Sequence, residues 1–469
     1  MTSPCSNHCP ILVRFTRDTS HANRKKCLHY EICWEHEPAS TEVIGDSWLE
    51  AGEKQHLGDM NCALRKVMSA LQTWSRTKFR NVGRCLEKAR KKLAELVERD
   101  ADRREIRIAN FSDEEIADAL FQIGPLKAPG PDGFPARFYQ RNWGLIKSDV
   151  VRAVKEFFHT GIMPDGINAT AIVLIPKVNQ PMELKEFRPI SLCNVIYKIV
   201  SKCLVNRLRP ILDDLISQNQ SAFVPGRMIT DNALLAFECF HSIQRNKSPG
   251  KAACAYKLDL SKAYDRVDWS FLEQAMYKLG FTHRWVSWIM TCLTSMRYSV
   301  KLNGTLLSTF APSRGLHQGD PLSPFLFLFV ADGLSLLLDE KVLQGAITPV
   351  QVCRRAPGIS HLLFVDDTLL FFKADNGQAN VIREVLDDYA VGTSQFINPA
   401  KCSMLIDDIT PASVQVEIRS TLQIVGNGFE DKYLGFPTPE GRMNKGKFQS
   451  LQEKIWKRII MWGENYLSS

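Results

Sequence analysis

The chain has 469 residues, 45% of them hydrophobic and 23% charged, which excludes a disordered or fibrous protein and leaves room for a large core in two or more lobes. A net charge of +8, from 59 Lys and Arg against 51 Asp and Glu, favours an anionic partner such as nucleic acid. The start has no apolar signal segment, the longest apolar run (FLFLFVA) is too short to span a bilayer, and thirteen cysteines follow no repeated spacing. The reading is therefore a soluble, intracellular protein with no membrane partner.

Up to about residue 60 the chain is aperiodic and rich in Cys and His. Cys5, His8, Cys9, Cys27, His29, Cys33 and His36 invite a zinc site, but the paired C-x-x-C spacing of common zinc modules is missing, so zinc is not expected. From Arg65 to Arg107, fourteen Lys or Arg face six Asp or Glu. Leu64, Val67, Leu71 and Trp74, then Val82, Leu86, Ala89, Leu93 and Leu96, recur at helical intervals, which predicts two basic helices separated near Asn81 to Gly83. A solvated linker and a direct nucleic-acid contact both fit. Ser112 with Glu115 forms a capping box before IADALFQI, and Gly124 with Pro125 ends that helix.

The segment KAPGPDGF, Lys127 to Phe134, reads as a rigid turn. ATAIVLIPKV, Ala169 to Val178, reads as a strand, and SLCNVIYKIVSKCLVNRLRPIL, Ser191 to Leu212, as one long amphipathic helix. Strands and helices alternate to about residue 405, giving an α+β or α/β core. The basic stretch Lys447 to Trp462 is again helically periodic.

Two acidic strand ends stand out. In HLLFVDDTLLFFKA, His361 to Ala374, the pair Asp366-Asp367 is the only break between two apolar runs, which predicts a hairpin with the carboxylates at its tip, with a solvated surface turn as the plain alternative to a charged site. Withdrawing charged carboxylates from water costs several kcal/mol unless a cation offsets it, and no Lys or Arg lies between Arg355 and Lys373. In AYKLDLSKAYDRVDW, Ala255 to Trp269, Tyr256, Leu258 and Leu260 alternate with Lys257 and Asp259, setting Asp259 on the polar face. Ser261 is then placed to cap a turn or helix from Lys262. Phosphoryl transfer with two metal ions needs carboxylates from separate strands around cations about 3.5–4 Å apart, and Asp259 and Asp366 are the natural pair. Between them, RGLHQGDPLSPFLFLFVADGL carries Gly315 and Gly319, which let backbone approach closely, the amide of Gln318, and Ser323-Pro324 at the start of an apolar helix.

With KAPGPDGF, LIPK, FRPISLCNVIYKIVSKCLVNRL, QSAFVPGRMITDN, LDLSKAYDRVDW, GLHQGDPLSP, FVDD, INPAKCSM and YLGFP in this order, the chain resembles the reverse transcriptase of non-LTR (LINE-type) retrotransposons, most of all their plant members. The resemblance implies an α+β right-hand polymerase palm with fingers and a partial thumb, preceded by a basic helical linker. It implies an RNA-directed DNA polymerase, a nucleotidyltransferase that adds dNTPs to a DNA primer on an RNA template. Asp259, Asp366 and Asp367 would be catalytic carboxylates holding two Mg²⁺ ions. Tyr264 would be the steric gate against a ribose 2′-OH, Gln318 and Gly319 would pack on the incoming nucleotide, Lys401 would protonate the pyrophosphate, and Arg188 and Lys177 would bind the triphosphate. A nuclear location follows from the resemblance alone.

The implied domains are a remnant of a preceding endonuclease domain (1–16), a basic linker (17–110), an N-terminal extension (111–157), fingers and palm (158–441) and the start of a truncated thumb (442–469). SNHCPIL resembles the end of an apurinic-type endonuclease, with His8 its histidine and Asn7 in place of the usual aspartate, so no endonuclease activity is expected. Ser394 stands where the family usually has Gly. Two rival readings are a catalytically silent remnant that binds nucleic acid and an RNA-templated RNA polymerase, against which Tyr264 argues.

Overall fold

The computed structural model describes residues 38–50, 66–67, 69–71, 73–74, 110–248, 250, 252–353, 356–426, 428–438, 453 and 456. The Cys/His-rich start, with Asn7 and His8, the second basic helix expected over Val82 to Leu96, and most of Lys447 to Trp462 lie outside them. The chain divides into two units, residues 12–91 and the remainder. In the smaller, helix α1 (Pro38–Leu49) and the helical residues around Val67 and Leu71 share an apolar cluster with Trp48 and Trp74, as the spacing of Val67, Leu71 and Trp74 requires.

The larger unit begins with helices α2 (Asp113–Phe121), α3 (Ala136–Arg141) and α4 (Trp143–Thr160). The capping box forms as expected: Glu115 N–H donates to Ser112 Oγ at 3.2 Å, and Ser112 N–H to Glu115 Oε2 at 2.8 Å. At the other end of α2, Gln140 Nε2 donates to the Leu120 and Ile123 carbonyls, which satisfies acceptors that a helix terminus leaves open.

A first sheet has strand order β2-β1-β4-β5. Strand β1 (Ala169–Pro176) runs antiparallel to β2 (Phe187–Cys193) and parallel to β4 (Arg297–Leu302), which pairs with β5 (Thr305–Leu306). This corrects the single helix expected from Ser191. Ser191 to Cys193 finish β2, and helix α5 (Val195–Leu208) starts only after Asn194. Nor is α5 amphipathic, because it is buried on most sides and even Lys198 is 7% exposed. The Asn194 side chain does not cap α5. It accepts from Asp132 N–H at 3.2 Å and donates to the Gly166 carbonyl at 3.0 Å, which pins the KAPGPDGF turn to the end of β2. Gly130 is required there, since a Cβ would lie 2.5 Å from the Asn194 nitrogen.

The second sheet, antiparallel throughout, has the order β6-β7-β3-β8, with β3 at Ala253–Leu258, β6 at His361–Phe364, β7 at Asp367–Lys373 and β8 at Ser403–Ile406. Both of its faces are covered. Ala253, Ala255, Leu369 and Phe371 pack with Ala236, Cys239 and Phe240 of α6 (Ile229–Arg245). Cys254, Tyr256, Leu258, Leu370 and Phe372 face the main core, which includes helices α7 (Trp269–Lys278), α8 (His283–Thr294), α9 (Ser323–Leu343) and α10 (Asn376–Thr393). A strand buried on both faces reads as a continuous apolar run, which is why HLLF and TLLFFK show no alternation. The apolar helix expected from Ser323-Pro324 is α9, buried from Phe325 to Leu338. Among the described residues no helix is long and apolar enough to cross a membrane.

Helix α10 ends at Ser394, held in the left-handed region at φ +61°. A non-glycine residue there carries a steric cost. Ser394→Gly is expected to raise stability by about 1 kcal/mol, read as a higher urea midpoint; an unchanged or lower midpoint would contradict this assignment of strain.

Candidate active site

The β6–β7 hairpin closes on the pair Phe364 and Asp367, leaving Val365 and Asp366 as a two-residue loop. Val365 sits at φ +59°, an outlying conformation for a β-branched residue. Leu258, the last residue of β3, pairs with Thr368, so the next residue along, Asp259, emerges beside Asp367 at the same end of the sheet. Three carboxylates thus meet at adjoining strand ends. The tip is less withdrawn from water than the flanking sequence implies: Asp366 is exposed, and Asp259 and Asp367 are half-buried.

The charges are coupled. Although Asp366 reaches the surface, the protein packed around its carboxyl keeps water from part of it and raises it above the usual range; the Asp259 charge adds to this, while its own backbone N–H and Lys401 oppose it. Burial also raises Asp367, against the pull of Lys257, with Asp366 and Asp259 repelling it further. Among the described residues, two lysines supply the nearby positive charge. Lys401 Nζ lies 3.9 Å from Asp259 Oδ2, carried there by a segment that runs antiparallel beside Asp259 to Ser261: Ser261 N–H donates to the Phe396 carbonyl at 2.7 Å and Asn398 N–H to the Asp259 carbonyl at 2.8 Å. Lys257 is ion-paired with Glu430. The alternation in KLD placed Lys257 on the face of Asp259 and could have flagged it; no pattern in the sequence pointed to Glu430.

Four carboxylates against two ammonium groups suit a hard cation, and oxygen-only donors are what Mg²⁺ takes. Among the described residues, no three His, Cys, Asp or Glu side chains stand close enough together to hold an ion in their present rotamers. The donors are gathered at one edge, and side-chain rotation has to close them.

Tyr264 opens a 3₁₀ turn, Tyr264–Arg266, after β3, and its ring stacks on Phe327 at 4.9 Å and 9°. Burial, with the nearby Asp366 charge, holds its phenol far above the ordinary value. The expected cap at Ser261 is not used. Asp268 caps α7 instead, accepting from Phe271 N–H at 2.9 Å. The loop from Arg314 to Asp320 is anchored at both ends. Leu316 N–H donates to the Tyr264 carbonyl at 2.8 Å, and Ser191 N–H donates to the Gln318 carbonyl at 2.8 Å. A Cβ on Gly315 would lie 2.8 Å from the Asp265 carbonyl oxygen, and one on Gly319 2.8 Å from that of Ser191, so the glycines let the loop join β2 to the Tyr264 turn. Gln318 and Gly319 are thereby placed against the first sheet.

Arg188 and Lys177 lie farther along that first sheet and not among the carboxylates. Arg188 pairs with Ile175 and is exposed. Lys177 donates to the Lys185 carbonyl at 2.8 Å; burial raises the Asp265 carboxyl, and the Lys177 charge is one of those that oppose this.

Residues 175–438, more than half of the chain, match the profile of the family described as reverse transcriptase (RNA-dependent DNA polymerase). A Xenopus laevis relative, the transposon TX1 uncharacterized 149 kDa protein, is 30% identical over 74% of this chain and 26% of its own length. The retrovirus-related Pol polyprotein from the type-2 retrotransposable element R2DM of Drosophila melanogaster is 26% identical over 59% of this chain and 24% of its own. An uncharacterized mitochondrial protein of Arabidopsis thaliana is 46% identical over 14% of this chain and 55% of its own. The chain spans about a quarter of the length of the first two.

Proposed function

The chain belongs to the reverse transcriptase family, and on that footing we propose that it is an RNA-directed DNA polymerase of a non-LTR retrotransposon, extending a DNA primer with dNTPs on an RNA template. The observation that carries this reading is the meeting of Asp259, Asp366 and Asp367 at one sheet end with Tyr264 beside Asp366. The second sheet then serves as palm and the first as fingers, with a thumb beginning past residue 441 and a basic linker before residue 111.

Asp259, Asp366 and Asp367 would hold two Mg²⁺ ions, which when bound lower the pKa of the attacking primer hydroxyl and neutralise charge on the leaving oxygen. Lys401, whose Nζ lies 3.9 Å from Asp259 Oδ2, would give a proton to the departing pyrophosphate. Gln318 and Gly319 line the approach of the incoming nucleotide. Arg188 and Lys177, on the fingers sheet, offer their charges to the triphosphate once the fingers close over it.

Tyr264 selects the sugar. Its ring is fixed by Phe327 and cannot swing away from a 2′-OH without breaking the stack. Tyr264→Ala is expected to raise the use of rNTPs relative to dNTPs by roughly tenfold to a hundredfold. An unchanged ratio, measured by single-nucleotide incorporation, would remove Tyr264 from this role.

The reading is tested with the purified chain, Mg²⁺, a DNA primer annealed to an RNA template, and either dNTPs or rNTPs. The expected result is template-directed extension with dNTPs. No extension, or equal extension with rNTPs, would overturn it. One observation favours a silent remnant that binds nucleic acid, namely that no three acidic side chains among the described residues stand close enough to share an ion without rotating. That protein would bind RNA in a salt-sensitive way and extend nothing.

A further inference from the structure

The segment QSAFVPGRMITDN, Gln220 to Asn232, has no part in the chemistry above, yet two of its side chains converge on the hairpin that carries Asp366. Residues 219–221 run beside β6 as a short parallel bridge. Leu363 N–H donates to the Asn219 carbonyl at 2.9 Å, and Ser221 N–H donates to the Leu363 carbonyl at 3.1 Å. Asn232 Nδ2 donates to the same Leu363 carbonyl at 3.0 Å, and the Tyr433 hydroxyl donates to Asn232 Oδ1 at 2.8 Å.

That bracing brings the fully buried Gln220 side chain onto the turn itself. Its Oε1 accepts from Val365 N–H at 3.1 Å and from Ala222 N–H at 3.0 Å, and its Nε2 faces the Val365 carbonyl at 3.5 Å. The Gln220 backbone is fixed in turn by Arg227, whose guanidinium donates to the Gln220 carbonyl at 2.6 Å. Both polar groups of the Val365 backbone are therefore met by one side chain. Val365 is the residue held at φ +59°, a conformation that persists only where the surroundings impose it.

We infer that Gln220 is a positioning residue: it clamps Val365 in this conformation and so aims the Asp366 carboxylate at the site shared with Asp259. The inference rests on the polymerase reading for its effect on rate, and on geometry alone for its effect on the turn. Burial of a glutamine against a single strained backbone position has little packing value, because an apolar side chain of the same size would fill the space without needing partners.

The test uses Gln220→Met, which keeps the volume and loses the bonds. Backbone hydrogen exchange over residues 361–368 is expected to quicken about tenfold or more at Val365 and Asp366, the equivalent of one lost buried hydrogen bond, with the rest of the second sheet unchanged. Primer extension is expected to lose about tenfold or more in kcat, with KM for primed template unchanged and a higher Mg²⁺ concentration needed for half-maximal rate. Ile243→Val, at the far end of α6, controls for lost stability and should leave kcat alone. If Gln220→Met loses protection throughout the chain, the same readouts are taken on Gln220→Asn, whose amide is one methylene too short to reach Val365. Unchanged exchange at the turn, or wild-type kcat and Mg²⁺ requirement, overturns the inference. A wild-type chain that extends no primer defeats the polymerase reading instead, and exchange alone then decides the clamp.

Discussion

Replacing Asp366 by Asn is expected to lower primer extension on RNA by about a thousandfold or more while leaving affinity for the primed template unchanged. On the proposed two-metal mechanism the size is that of losing one charged oxygen ligand where transition-state charge is stabilised, an effect worth roughly 4 kcal/mol. Binding should survive because Asp366 lies at an exposed loop tip and not in the core, and Asn tolerates turn geometry as Asp does. Removing a like charge beside Asp259 and Asp367 also relieves repulsion, so the variant should be no less stable than the wild type. Single-turnover extension, paired with filter binding of labelled template, checks both halves. A rate within tenfold of the wild type would take Asp366 out of the chemistry, and a parallel loss of binding would make its role structural.

The second large effect concerns acid. Burial pushes His317 and His361 down to about 3, and both are almost wholly enclosed. His361 Nε2 accepts from Asn219 Nδ2 at 2.8 Å while Nδ1 lies 2.9 Å from Ser360 Oγ, the pattern of a neutral ring that donates through Nδ1. A folded pKa below the unfolded value of about 6.5 means that the unfolded chain takes up the proton first. Stability is complete above about pH 6.5 and is lost as pH falls towards 3, at about 1.4 kcal/mol per pH unit for each histidine. Buried Asp320, pushed up to about 6, has the opposite sign: its folded-state cost is relieved as pH falls from about 6 towards the ordinary carboxylate range. Comparison with His361→Gln isolates one histidine, since Gln places an oxygen where Nε2 accepts. Between pH 6.5 and 4.5 this variant is expected to lose about 2–3 kcal/mol less than the wild type in urea unfolding. Equal losses would show that His361 protonates in the folded protein.

The site was legible where one strand's own pattern carried the information. The Asp-Asp break in HLLFVDDTLLFFKA marked the hairpin tip, whereas the polar face read from alternation in AYKLD does not exist: both faces of β3 are covered, and Asp259 follows the strand at the sheet end. That the two meet depends on the pairing of Leu258 with Thr368, a contact between residues more than a hundred apart, for which only the ordered motif series gave a hint. Ser191 to Cys193 were misread as helix because their strand character comes from pairing with β1, which a local period does not report. Ser261 looked like a cap, but it pairs with Phe396 on a distant segment and leaves the capping to Asp268. Gln220 and Glu430 gave no local signal, because each acts on a partner far along the chain. Arg188 stands in β2 and Lys177 just past the end of β1, on the other sheet from the carboxylates.

The most direct measurement is a count of bound Mn²⁺, in place of Mg²⁺, by electron paramagnetic resonance on the chain with a primed RNA template, a dideoxy-terminated primer and the next dNTP. Two ions per chain are expected, with at least one lost in Asp259→Asn and in Asp366→Asn. Equal Mn²⁺ binding by the wild type and both variants would contradict the claim that these carboxylates form one divalent-ion site.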